Sequence, residues 1–175
     1  MAKTIHYRVE QFLRAMTARH AISEEQIEQA AQILRPEARV LLARQAPQDQ
    51  RHALAVYETL CQEGHTHRDL LAAALLHDIG KAAAWLPAWQ RGIFVLAQRL
   101  VPGMLDRARR GETGSWWRPL ADYAGHAEIG ARWAEKAGCS SLTVALIRRH
   151  EEPLETCQTE EDRLLTTLQA ADCAN

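Results

Sequence analysis

The chain has no apolar run long enough to cross a membrane. Its longest candidate, Ile93 to Val101, is interrupted by Gln98 and Arg99, whereas a spanning helix needs roughly 20 apolar residues. It also lacks an excess of either charge: 21 Lys and Arg stand against 22 Asp and Glu, a formal net charge of -1. Nothing at the level of the whole chain therefore suggests a nucleic-acid partner. The four cysteines, Cys61, Cys139, Cys157 and Cys173, include no pair at the two-residue spacing of a zinc clip or redox motif. They read as free thiols serving as small apolar packing residues, which fits a reducing cytoplasm. The opening MAKTIHYRVEQF has no apolar stretch ahead of a cleavage site, which predicts no secretion signal. β-Branched residues are sparse and no period-two alternation runs long enough for a strand, so a sheet is not expected. There is no internal repeat and no linker long enough to separate two domains.

What remains is the composition of a globular, helical domain. Hydrophobic residues make up 47% and charged residues 25% of 175, which argues against disorder. Ala, Leu, Glu, Gln and Arg dominate, all good helix formers. A first helix is predicted over residues 4–19, carrying an apolar stripe of Ile5, Val9, Phe12, Leu13 and Met16 that fits either packing on the core or a homodimer contact. Ser23 and Gln26 form a capping-box pattern for a second helix, and Pro36 suits the first turn of a third. Pro47 is read as a break before a helix over about 50–63, which Gly64 ends. The next helix is predicted over about 69–79, with Gly80 placed to stop it. Further helices are predicted from Pro87 to about Val101, then over about 126–137, 141–151 and 160–174.

Several polar residues fall on apolar helix faces, since residues three, four or seven apart lie together. His52 shares a face with Val56 and Leu60, and His77 with Leu70, Ala73 and Ala74. His126 goes with Ile129, Gly130 and Trp133, His150 with Thr143, Leu146 and Ile147, and Asp172 with Leu165 and Leu168. Asp78 lies on the edge of the face that holds His77. One inward histidine is ordinarily a hydrogen-bonded core residue. Such residues on five separate helices point instead to a shared site, because buried charge is normally paired or bound to metal. Imidazole with carboxylate suits Fe, Mn, Zn, Ni or Mg.

The segment AAALLHDIGK, residues 72–81, resembles the signature of HD-domain metal-dependent phosphohydrolases. His52 in QRHALAVYETL matches the family's histidine one helix earlier, and Asp172 in LLTTLQAADCAN its closing aspartate. The resemblance runs from about His52 to the end. It implies an all-α, compact multi-helix HD-domain bundle: a single domain over 1–175, with N-terminal helices over 1–47 packing on a metal-site core over 48–175 that carries a variable insert at about 82–122. His126 in HAEIGARWAEKAG and His150 in LIRRHEEP are similar to the extra histidines of dinuclear members.

On that resemblance, Asp78 would bridge two divalent metals, Fe or Mn first among the candidates. His52, His77 and Asp172 would complete the first shell, His126 and His150 the second. Where some dinuclear members carry a His pair, this chain has His150 followed by Glu151, which reads either as an alternative ligand or as a solvated helix end; the second is preferred because Glu151 and Glu152 open an acidic stretch. Members acting on cyclic di-GMP carry a Gly-Tyr-Pro element; Glu151-Glu152-Pro153-Leu154 stands here, which argues against that substrate. The implied activity is hydrolysis of a phosphomonoester or phosphodiester, in a small-molecule nucleotide-type substrate. Lys81, just past the helix end, reads either as a mobile charge reaching the substrate phosphate, which the resemblance favours, or as a surface lysine at a helix C-terminus, where positive charge is favourable anyway. Arg109 and Arg110, in the arginine- and tryptophan-rich segment over 89–118, are candidate phosphate contacts of a lid, against the plainer reading of a solvated basic helix. The alternative to an enzyme is a non-catalytic sensor of the same fold that binds a nucleotide or a partner.

Overall fold

The computed structural model describes residues 23–83, 125–154 and 156–175. Among these it is all-helical: α1 (Glu24–Ala31), α2 (Pro36–Arg44), α3 (Pro47–Gln62), α4 (Arg68–Leu76), a 3-10 turn (Ile79–Ala83), α5 (His126–Lys136), α6 (Ser141–Arg149) and α7 (Glu160–Ala174). The helices expected over 4–19 and 87–101, and Arg109 and Arg110, lie outside the described residues. No described helix is long and apolar enough to cross a membrane.

The bundle is organised around α4. Its sequence RDLLAAALL is apolar all round, and Leu70 to Leu76 are all buried. A helix without a polar face must be covered on every side. Among the described elements α3 and α6 pack most closely on it, with α7 and α2 completing the cover. Leu70, Leu75 and Leu76 meet Leu54, Leu60, Leu146, Ile147, Leu165 and Leu168 in one continuous core. Each such leucine contributes about 1.5–3 kcal/mol by leaving water. The consequence for function is positional: whatever follows Leu76 is delivered into the middle of the molecule.

Polar ties fix both ends of α4. Asp69 accepts hydrogen bonds from Ser140 Oγ (2.6 Å) and Thr143 Oγ1 (3.0 Å) at the start of α6. At the other end, Gln45, itself buried, donates to the Leu75 carbonyl (3.0 Å), one of the carbonyls a helix C-terminus leaves unpaired.

Local signals explain most boundaries. Ser23 and Gln26 form the expected capping box. Gly64 and Gly138 take positive φ (85° and 73°) and close α3 and α5 with paired backbone bonds, His65 N–H to Leu60 O and Cys139 N–H to Ala134 O. Three boundaries differ from the sequence reading. Pro47 occupies the first turn of α3 and does not break the chain ahead of it, because a helix needs no N–H there. α6 stops at Arg149, with His150 as its cap. α4 stops at Leu76, and the chain tightens into the 3-10 turn. Nor does Gly80 stop a helix by a left-handed conformation; its φ is not positive.

The cysteines are another correction. All four are free, but Cys61, Cys157 and Cys173 are exposed and only Cys139 is partly buried, so three of them are not packing residues.

α7 opens with a second capping box: Thr159 accepts from the Asp162 N–H (3.1 Å), and Asp162 accepts from the Thr159 N–H (3.0 Å). Thr159, together with Arg149, holds the Asp162 carboxyl down at about 2. A carboxyl with a folded pKa below its unfolded value stabilises fully above the unfolded value, near 4, and loses that contribution as pH falls through the folded one. Asp162→Asn is therefore expected to lower the melting temperature at neutral pH, with the gap from wild type closing between pH 4 and 2. A gap that is constant across that window would contradict the pairing.

Candidate metal centre

Five elements converge where α4 ends. His52 projects from the middle of α3. His77 and Asp78 occupy the turn after α4, His126 is the first residue of α5, His150 caps α6, and Asp172 lies in the last turn of α7. His77, Asp78, His126 and His150 are 1%, 3%, 3% and 6% exposed. His52 and Asp172 are less buried than their helix faces implied: their side chains stay 29% and 31% exposed and form the rim.

The close fit of the 3-10 turn to α5 brings Asp78 against His126. A Cβ on Gly80 would stand 1.9 Å from the His126 carbonyl oxygen and 2.8 Å from the Gly130 nitrogen, and Gly130 has its own Cβ position 3.2 Å from the Gly80 nitrogen. A glycine at 80 is needed for these backbones to meet, and the one at 130 eases the fit. Sequence reasoning missed this role, since a glycine after a helical stretch looks locally like a helix stop.

The donor atoms fall into two sets, His52, His77 and Asp172 in one and Asp78, His126 and His150 in the other. Asp78 faces both. Its Oδ1 lies 3.2 Å from His126 Nε2 and 3.8 Å from His150 Nε2, while its Oδ2 lies 3.5 Å from His77 Nε2. His77 Nε2 is also 3.5 Å from Asp172 Oδ1, and His52 Nε2 donates to that same oxygen at 2.7 Å. His126 Nε2 and His150 Nε2 approach to 3.2 Å. The Lys81 ammonium donates to Asp78 Oδ2.

Backbone carbonyls orient two of the rings. His77 Nδ1–H donates to Ala74 O (3.0 Å) and His150 Nδ1–H to Ile147 O (2.8 Å). Each ring thus turns its Nε2 into the centre, the arrangement in which a second hydrogen bond fixes a ligating tautomer.

The electrostatics divide the histidines. At His77 burial favours the neutral ring, but Asp78 and Asp172 outweigh it and raise its pKa above the ordinary value. His150 goes the other way: burial, and then the charge on His77, push it down to about 4. Burial also opposes ionisation of Asp78 and Asp172. The histidines around both, with Lys81 at Asp78, nonetheless hold them below the usual carboxylate range.

These residues fit divalent metal. His77 Nε2 is fully buried and has no hydrogen-bond partner, although two carboxylate oxygens stand just beyond bonding range. Donors sharing one ion at about 2.1 Å stand about 3.0–3.4 Å apart; His126 Nε2 lies 3.2 Å from Asp78 Oδ1 and from His150 Nε2, and the 3.5 Å contacts of His77 Nε2 lie just outside that spacing and are too long for good hydrogen bonds. The donor set, imidazole nitrogen and carboxylate oxygen without thiolate, suits Fe, Mn or Zn. Lys81 meets Asp78 in the position where a cation would sit.

Among the described residues, the fold and site define an all-α bundle with a cluster of four histidines and two aspartates, buried except at its rim of His52 and Asp172. Compared with protein-family models, with curated proteins and with solved structures, the chain finds no match.

Proposed function

We propose that the protein is a metal-dependent phosphohydrolase of the HD-domain type, acting on a phosphomonoester or phosphodiester bond in a nucleotide-type substrate. One observation carries the reading: the two oxygens of a single buried carboxylate, Asp78, face two separate sets of histidines. A buried carboxylate between imidazoles is expensive unless cations compensate it, and two half-sites sharing one aspartate is the arrangement of a dinuclear centre. The order His52, His77-Asp78, His126, His150, Asp172 agrees with the resemblance.

Divalent ions in such a pair of half-sites lower the pKa of a bound water towards neutrality and neutralise charge developing on phosphate oxygens. Asp78 would be the shared ligand. His52, His77 and Asp172 would serve one ion, and His126 and His150 the other, with iron or manganese as first candidates. The chain's own contribution is positional. Ala74 and Ile147 fix the tautomers of His77 and His150, and Gln45 anchors the end of α4 from which the pair projects. Lys81, which donates to Asp78 here, would with cations bound there serve as a mobile point charge for the substrate phosphate. His52 and Asp172, on the rim, leave the centre open towards solvent. Free thiols and the absence of a membrane-spanning helix among the described residues suit a cytoplasmic enzyme.

The test is to strip the protein with a chelator, reload it with Fe, Mn, Zn, Ni or Mg, and assay p-nitrophenyl phosphate, its bis ester and a panel of nucleotides. The expected result is about two ions per chain and turnover that appears only on reloading. Ions bound without turnover on any substrate would leave a nucleotide- or partner-binding sensor in place of the enzyme. No ion bound after reloading would leave a helical bundle with hydrogen-bonded histidines.

A further inference from the structure

The turn that follows α6 is unusually well fixed for a half-exposed segment. Gln169 of α7 donates to the carbonyls of both His150 (3.0 Å) and Glu152 (2.8 Å), one on either side of Glu151. The Glu152 N–H closes on Arg149 O (2.8 Å), and the Arg149 guanidinium takes the carboxylates of Glu152, Glu161 and Asp162. Arg148 is directed away, to Glu128 (2.9 Å). The acidic stretch is thus divided. Glu152 belongs to the arginine cluster, while Glu151 has no such claim on it and turns the other way, its Oε1 3.9 Å from His126 Nε2. Its side chain remains 53% exposed, so it lies at the solvent edge of the second set and not as the free helix end that its acidic neighbours suggest.

The two donor sets are unequal without it. The first has two imidazoles, one carboxylate of its own (Asp172) and a share in Asp78. Among the described residues, the second has two imidazoles and its share in Asp78. Glu151 supplies the missing group, giving each half-site two histidines, a private carboxylate at the rim and one oxygen of the shared aspartate. Resting on the dinuclear reading above, we propose that Glu151 is the fourth protein ligand of the half-site built by His126 and His150, and that Gln169 and Arg149 position it. A second carboxylate adds negative charge and a hard oxygen donor, which favours manganese or iron at that half-site over softer ions.

The experiment is a Mn(II) titration of the chelator-stripped full chain, read by the paramagnetic resonance of free Mn(II) and by calorimetry. It compares wild type with Glu151→Ala, Glu151→Gln and Glu151→His, and melting curves of the stripped proteins accompany it. Wild type is expected to take two ions. Glu151→Ala and Glu151→Gln should weaken one of them at least about 10-fold, the lower bound for loss even of an outer partner of a metal ligand. They should leave the other ion and the stripped-protein melting unchanged, and Glu151→His, which restores a donor, should recover part of the loss. Two ions bound equally well by every variant would overturn the role of Glu151 while leaving the dinuclear reading intact. Fewer than two in wild type would overturn both.

Discussion

If the proposed function holds, Asp78→Asn is expected to abolish metal binding at both half-sites and to lower phosphoesterase turnover by at least about 10³-fold, the upper range for losing a single group that stabilises developing charge. The reason is geometric. Replacing any one histidine disables one set, whereas Asp78 faces His126 and His150 through one oxygen and His77 through the other. The amide keeps the shape and removes the charge. It also leaves the Lys81 ammonium and a raised-pKa His77 without the carboxylate they share. His77 then loses a main support for its proton and titrates lower. Elemental analysis of the reloaded variant decides the matter. Asp69→Asn is the fitting comparison, since Asp69 sits at the far end of α4, the helix that precedes Asp78, and holds Ser140 and Thr143; it should keep both ions. An Asp78→Asn protein that still carries two ions would remove the basis of the proposed chemistry.

Gly80→Ala comes next in size. Its methyl group would stand 1.9 Å from a main-chain oxygen, and backbone cannot rotate aside as a flexible side chain does. The 3-10 turn must separate from α5, at about 3 kcal/mol or more by the usual scale of overpacking. For a chain of this size that is a fall in melting temperature of about 6–12 °C. The same displacement draws Asp78 away from His126, so the second ion should be lost before the first. Gly64→Ala makes the contrast. That residue has a positive φ and nothing near its Cβ position, so strain of about 1 kcal/mol is expected, with full metal content. Equal metal content in the two variants would show that the glycine contact does not set the position of Asp78.

Much of this could be read in the chain before its fold was known. Helical periodicity placed His77, His126 and His150 on inward faces, because a ring pointing into a helix bundle shares its side of the helix with leucines and alanines. It failed where the helix itself failed. Asp78 was assigned to an edge by extending the pattern of α4 past Leu76, yet the chain tightens there, and the carboxylate goes fully inward. His52 and Asp172 erred in the opposite sense. Their faces are apolar, but they stand at positions where the bundle opens, which periodicity does not report. The glycines are similarly instructive: Gly64 and Gly80 follow helical stretches in the same way, and only the approach of α5, nearly fifty residues on, distinguishes a helix stop from a close contact. For Glu151 the sequence left two readings, a ligand or a solvated helix end, with its acidic neighbours favouring the second; Gln169, from another helix, holds the carbonyls on either side of it, and its carboxylate turns towards His126. The exposed Cys61, Cys157 and Cys173 show that a small apolar side chain carries little positional information of its own.

The two halves of the centre also differ in how the chain must loop to make them. His126 and His150 are 24 residues apart, on consecutive helices joined by a short connection, whereas His52 and Asp172 are separated by 120. Closing the longer loop costs about 1.4 kcal/mol more in chain entropy, and it awaits the docking of α7 against α3. During folding, then, the pair of His126 and His150 can form within a local helical hairpin that Asp78 joins when the turn after α4 docks on α5, while the pair of His52 and Asp172 closes only when α7 meets α3.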